Sequence, residues 1–302
     1  MSLTAIILLI VSAVTHAGWN LLTKRQQPSA AFFLVANTVA VVALFPFLVI
    51  HRNTLSEFPP EVWALLVITG FFLTVYYWSL AGAYKSGELS IAYPLARSSP
   101  IVVVTVVTLI LGRTDQVSIQ CILGIALVVG SCFLIPMRHF ADIRLKNYLN
   151  TTCMLALLAS FGTAGYSMVD DEALRQLRNA LGGRLNTVSI TLTYACLEAL
   201  SSSLWLTILV GSRHVGRLSF RQVMRASKRT AILAGTGIYG TYALVLISMA
   251  FVKNVSYVVA FRQLSIPLGV GFGILIMGES PNKPKIIGVS IMFIGLILVG
   301  MG

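Results

Sequence analysis

Residues 69–74 read Thr-Gly-Phe-Phe-Leu-Thr, and residues 236–241 read Thr-Gly-Ile-Tyr-Gly-Thr. Each stretch sets Thr-Gly four residues before a second threonine, and each lies in an apolar run. The same offset of 167 residues carries Ala83 onto Ala250, Ser98 onto Ser265 and Pro100 onto Pro267. Small residues and a proline thus keep one spacing from 69 to 100 and again from 236 to 267. The chain reads as two copies of one hydrophobic unit.

Composition names the solvent of that unit. Of 302 residues, 57% are hydrophobic and 11% charged, with mean hydropathy +0.86. A soluble domain carries about 25% charge, so most of this chain faces lipid. A membrane-spanning helix takes roughly 20 apolar residues. Ten candidate spans fit, at 3–23, 30–50, 61–84, 89–112, 117–136, 148–169, 187–210, 230–252, 255–278 and 284–301. They leave no room for a soluble domain. The first is read as a retained span, because a signal peptide carries its positive charge in front, whereas Lys24-Arg25 follow. The longer connections are 137–147, 170–186 and 211–229, and the second reads as a solvated, charged surface segment.

The net charge of +12 comes from basic residues spread over short loops. That distribution speaks for membrane orientation and against nucleic acid, which needs a basic patch on a folded domain. Connections on one side hold 14 Lys and Arg, among them Lys24, Lys85, Arg138, Lys283 and Lys285, and the other side holds 6. The richer side is expected in the cytoplasm, with both termini outward. Cys121, Cys132, Cys153 and Cys196 lie in apolar segments without a Cys-x-x-Cys pair, so no metal, cofactor or disulfide is expected.

Five spans per copy is an odd number, so the second copy enters the membrane from the opposite side. The expected fold is all-α and integral to the membrane. Ten transmembrane helices form two inverted five-helix repeats, 1–140 and 141–302, around a central cavity. Repeats of this kind are a sign of secondary transporters, which open to either side by exchanging the conformations of their halves.

The order of motifs resembles the drug/metabolite transporter superfamily, and within it the EamA-type exporters. The resemblance rests on Ser98-Ser99-Pro100 and Ser265-Ile266-Pro267, on Gly278-Glu279 after the ninth span, and on Ile122-Leu123-Gly124 and Ile287-Gly288 in the closing spans. The first half departs from it, with Gly112-Arg113 in place of Gly-Glu. The glutamate of that pair is read as serving loop or helix-end structure. The resemblance implies a cavity lined by spans one, three, four, six, eight and nine. It also implies export of small metabolites across the inner membrane, with amino acids, including aromatic ones, as the expected substrates. Other drugs or metabolites are the alternative, and a non-transporting scaffold or receptor is a further one. No His-Glu-x-x-His, Gly-x-Ser-x-Gly or nucleotide-binding Gly-x-x-x-x-Gly-Lys motif is present, so neither an enzyme nor an ATP-driven pump is expected. Ten spans can enclose a cavity alone, which suits a functional monomer.

Candidate site residues follow from polar groups at membrane depth, which face the protein interior or a cavity. His16, Trp19 and Asn20 share one helical face, and Tyr166 stands on the corresponding face of the repeat. Tyr93, Arg97, Ser98 and Ser99 surround the kink-forming prolines Pro94 and Pro100, which free the carbonyls of Ser90 and Ala96. Arg97 is read as a clamp for a substrate carboxylate. The alternative is a packing helix whose arginine pairs with a carbonyl or with Glu198. Arg262, Gln263, Ser265 and Pro267 echo the arrangement in span nine. Tyr77, Trp78, Tyr239 and Tyr242 are candidates for aromatic walls, with core packing as the alternative for each. Glu198 and His16 are possible proton sites, and a structural hydrogen bond is the alternative for Glu198.

Overall fold

The computed structural model describes residues 3–26, 28–110, 119–140, 149–249 and 264–301. Among the described residues the regular elements are all helical. They are α1 (Leu3–Arg25), α2 (Ala30–Ile50), α3 (Pro60–Ser86), α4 (Leu89–Ile110), α5 (Ile119–Leu134), α6 (Thr151–Leu181), α7 (Thr187–Ser212), α8 (His214–Gln222), α9 (Lys228–Met249), α10 (Ser265–Met277) and α11 (Lys283–Met301). A chain in lipid has no water for its amides, and helices satisfy them internally. Local signals set the ends. Ser29 caps α2 through the Phe32 amide, Pro60 opens α3, and the Asn186 side chain accepts from the Ser189 amide at 2.8 Å to start α7. Five helices (α1, α2, α3, α6 and α7) are long and apolar enough to cross a membrane, and α5 and α10 contain shorter apolar stretches. The chain is a multi-pass membrane protein.

Two of the expected connections are helical. Residues 170–181 continue α6 without a break. The charges hid an amphipathic pattern: Ala173, Leu177 and Leu181 bury against Phe58, Val62, Leu66, Ile190 and Tyr194, while Glu172 and Arg175 pair on the exposed side. The helix stops where Gly182-Gly183 begins. Residues 214–227 likewise form α8 and a π-helical turn, Val223–Ser227, with Phe220 and Val223 packed on Ala31, Phe32 and Ala231.

The chain divides into two compact units, Met1–Gln27 with Ser79–Phe161 and Gly237–Gly302, and Pro28–Trp78 with Gly162–Thr236. In the first, α5 packs along α11 and α4 along α10, over a core of Val128, Ile135, Ile266, Val270, Val289, Met292 and Leu296. In the second, α2 packs along α7. Asn37 fastens that pair by donating to the Ala199 carbonyl at 2.9 Å and to the Ser202 and Ser203 hydroxyls at 2.8 Å.

Glycine permits the close crossings of the second unit. A β-carbon on Gly70 would stand 2.8 Å from the Ser201 carbonyl carbon, and one on Gly235 would stand 3.0 Å from that of Ala36. The Thr-Gly stretch at 69–70 is therefore a packing element.

The Gly278-Glu279 pair explains how α4 begins. Gly278 adopts φ +70°, the left-handed conformation that glycine takes without strain, and the Glu279 amide donates back to the Gly273 carbonyl at 3.1 Å. This turn aims the Glu279 carboxylate at the first turn of α4. It accepts from the Leu89 amide at 2.6 Å and the Ser90 amide at 2.8 Å. Helix N-termini carry unpaired amides and a positive dipole end, so a carboxylate suits them. Next to it, Lys285 is not the loop lysine that the charge count suggested. It is 1% exposed, pairs with Glu88, and donates to the Ser90 hydroxyl at 2.9 Å and the Ser280 carbonyl at 3.1 Å.

Gly70→Val is expected to destabilise the protein by about 1–3 kcal/mol, the usual range for overpacking. Gly18→Ala, with nothing within 4 Å of the new carbon, should leave stability unchanged or raised. Thermal unfolding in detergent checks both, and equal shifts would contradict the crossing. Glu279→Gln keeps one acceptor for the two amides and Glu279→Ala keeps none. Charge-assisted hydrogen bonds contribute about 1.5–3 kcal/mol each. Unfolding temperatures should fall from wild type through Gln to Ala.

Candidate functional site

In the first unit, α1, α4 and α10 bring four of the expected residues together. His16 sits on α1 with its Nδ1 accepting from the Trp19 indole at 3.2 Å, so the two side chains orient each other. Asn20 donates to the His16 carbonyl at 2.8 Å and accepts from the Tyr84 hydroxyl at 2.6 Å. Its amide is spent on tying α1 to α3. The His16 ring lies 6.1 Å from that of Tyr93 on α4. Tyr93 in turn lies against Gly269 of α10, beside Ser265 and within electrostatic reach of Arg97.

Arg97 is one turn beyond Tyr93. Its Nε is buried and has no hydrogen-bond partner among the described residues. A buried donor without an acceptor costs about 1–3 kcal/mol, and more for a charged group. Stable proteins rarely leave one so placed, and an incoming carboxylate would satisfy it bidentately. The site therefore has a cation, a phenol, an imidazole and a hydroxyl within one cluster.

The neighbouring serines are engaged elsewhere. Ser98 donates back to the Pro94 carbonyl at 2.7 Å, and Ser99 lies 3.9 Å from the Cys132 sulfur on α5. Helix α4 runs through both Pro94 and Pro100. Pro267 stands in the first turn of α10, where a missing amide proton leaves no helical bond unmade. Arg262 and Gln263 lie outside the described residues. Tyr239 is half-buried on α9, whereas Tyr242 is 36% exposed.

The second unit holds a separate aromatic group. Tyr77 stacks on Phe33 at 4.9 Å, and Tyr76 meets Tyr166 edge-on at 6.0 Å. Trp78 is 41% exposed, as a lipid-facing ring would be. The aromatic run 76–78 thus divides between interior and surface, as the 100° step of a helix requires.

Reading the sequence alone missed Asp170, which it placed in a solvated connection. Its Oδ1 accepts from the Thr69 hydroxyl at 2.6 Å and the Tyr194 hydroxyl at 2.8 Å, and the Glu198 carboxyl lies beside it. The signal lay in Thr69 of the opening stretch and in the i, i+4 spacing of Tyr194 and Glu198, which put both on one face of α7. Among the described residues no cluster of His, Cys, Asp and Glu is arranged for a metal ion.

Comparison with known proteins agrees with this architecture. Residues 3–137 match the EamA-like transporter family. A WAT1-related protein of Arabidopsis thaliana is 23% identical over 320 residues, covering 95% of this chain and 79% of that protein. The family similarity suggests a small-molecule transporter rather than an enzyme.

Proposed function

We propose that the chain is a secondary transporter that exports small metabolites, amino acids including aromatic ones foremost, across the inner membrane by alternating access. The observation that carries the reading is the buried Arg97 Nε, which has no described partner and has Tyr93, Ser265 and His16 around it. A substrate carboxylate fits the guanidinium. The carbonyls that Pro94 and Pro100 free in the same helix suit an ammonium group. The rings of His16, Trp19 and Tyr93 offer flat apolar faces to an aromatic side chain. Other small metabolites or drugs bearing an acidic group are the second reading, since Arg97 selects for the anion and not for the rest of the molecule.

The inverted arrangement of residues 1–140 and 141–302 draws support from helix pairing. A two-fold axis between repeats brings counterparts against each other where they meet it, and α2 with α7, α4 with α10 and α5 with α11 are such pairs. Five spans in each half make the axis lie in the membrane plane. The charge count orients the ends bearing Lys24, Lys85, Arg138, Lys283 and Lys285 toward the cytoplasm and both termini outward. The functional unit is a monomer. The Asp170–Glu198 pair and His16 are the groups through which a proton would be coupled.

The test is flux. Protein in liposomes should move labelled amino acids down their gradient, with aromatic ones among those carried, in runs with and without a proton gradient. Equal flux in empty and loaded liposomes across the panel would reject the amino-acid reading. Arg97→Ala should lower flux at least about tenfold, the factor that corresponds to roughly 1.4 kcal/mol, while the unfolding temperature stays near or above wild type. Unchanged flux would remove Arg97 from the site.

A further inference from the structure

The first unit contains a cavity of about 570 Å³ that belongs to none of the groups described above for substrate. It lies where α3 gives way to α4, between the C-terminal end of α5 and the first turns of α6 and α11. Its wall includes Glu88, Arg138, Asn150, Thr152, Asn282 and Lys285. We propose that this cavity binds an anionic oxygen group, a carboxylate or a phosphate, carried by a lipid headgroup or by a soluble molecule.

Charge is the first argument. Among the described residues the wall holds two cations and one anion. Lys285 is buried and compensated by Glu88, with its remaining donors on Ser90 and Ser280. Arg138 lines the cavity, is exposed, and has no ion pair or hydrogen bond among the described residues. Among the described residues the cavity thus keeps one uncompensated positive charge beside the neutralised Lys285–Glu88 pair.

The second argument is the start of α6. The Asn150 side chain accepts from the Cys153 amide at 3.0 Å and its carbonyl accepts from the Met154 amide at 3.1 Å. Thr151 and Thr152 come before these, and their amides have no acceptor within the helix. Both residues line the cavity. The positive end of the helix dipole and the Arg138 guanidinium then act on one space. A phosphate or carboxylate offers several acceptors to such a set, and a cation or an apolar group offers none.

The position of Glu88 gives the site a built-in competitor. Its side chain is 40% exposed while that of Lys285 is 1% exposed. Glu88 therefore holds the lysine from the cavity side, and an arriving anion meets its carboxylate as a like charge. Removing that charge should tighten binding, and removing Arg138 should weaken it.

The experiment uses the full chain in phosphatidylcholine nanodiscs. Inorganic phosphate and acetate are titrated by calorimetry in one arm. In the other, phosphatidylglycerol is added to the discs and its retention is read by native mass spectrometry. Binding in the first arm identifies a soluble anion, and retention in the second a lipid headgroup; either supports the site if the variants follow. Arg138→Gln, an exposed change, should weaken binding at least about tenfold. Glu88→Gln should strengthen it, and Arg221→Gln, on α8, should change nothing. No binding in either arm, or binding that Arg138→Gln leaves intact, would overturn the proposal. The transport reading does not enter these measurements.

Discussion

Lipid gives a polar group no partner, and this constraint organises the chain. Amides turn inward into helices, and side chains that cannot reach water must find one another. Asn37 meets three acceptors on α7, Asp170 meets a threonine, a tyrosine and a glutamate, and Lys285 meets a glutamate, a serine and a carbonyl. Against that background Arg97 stands out. Its buried Nε has no hydrogen-bond partner among the described residues, as the hydroxyls of Thr23, Ser79, Ser160 and Thr193 have none, but it belongs to a cation, which an anionic ligand would complement.

Close packing within each unit is the second organising feature. The apolar seam of α5 with α11 joins Val128, Ile135, Val289, Met292 and Leu296. The crossings through Gly70 and Gly235 bring backbone against backbone. Small residues allow such approaches, and helices in lipid associate largely through them.

Much of the fold was legible because hydropathy and helix ends are local properties. The second span matches α2 at both ends, 30 and 50, since Ser29 and the run before His51 mark it in the sequence. The closing span matches α11 within a residue at its start. The charged tail of α6 was not legible as helix because its apolar stripe, Ala173-Leu177-Leu181, is thin and surrounded by charge. His16, Tyr93, Arg97 and Ser265 could each be picked out from depth and repeat spacing, though not their meeting. Asp170 and Lys285 could not, because each sits at the edge of an apolar run. An ionisable group there reads as solvated until the partner helix is known.

The turn at Gly278-Glu279 has a consequence for biogenesis. The amides that open α4 belong to residues 89 and 90, but their acceptor is residue 279, made almost two hundred residues later. During synthesis the fourth helix enters the bilayer with its leading amides unmet by that carboxylate. Its final seating therefore waits until residue 279 has been made and brought to it.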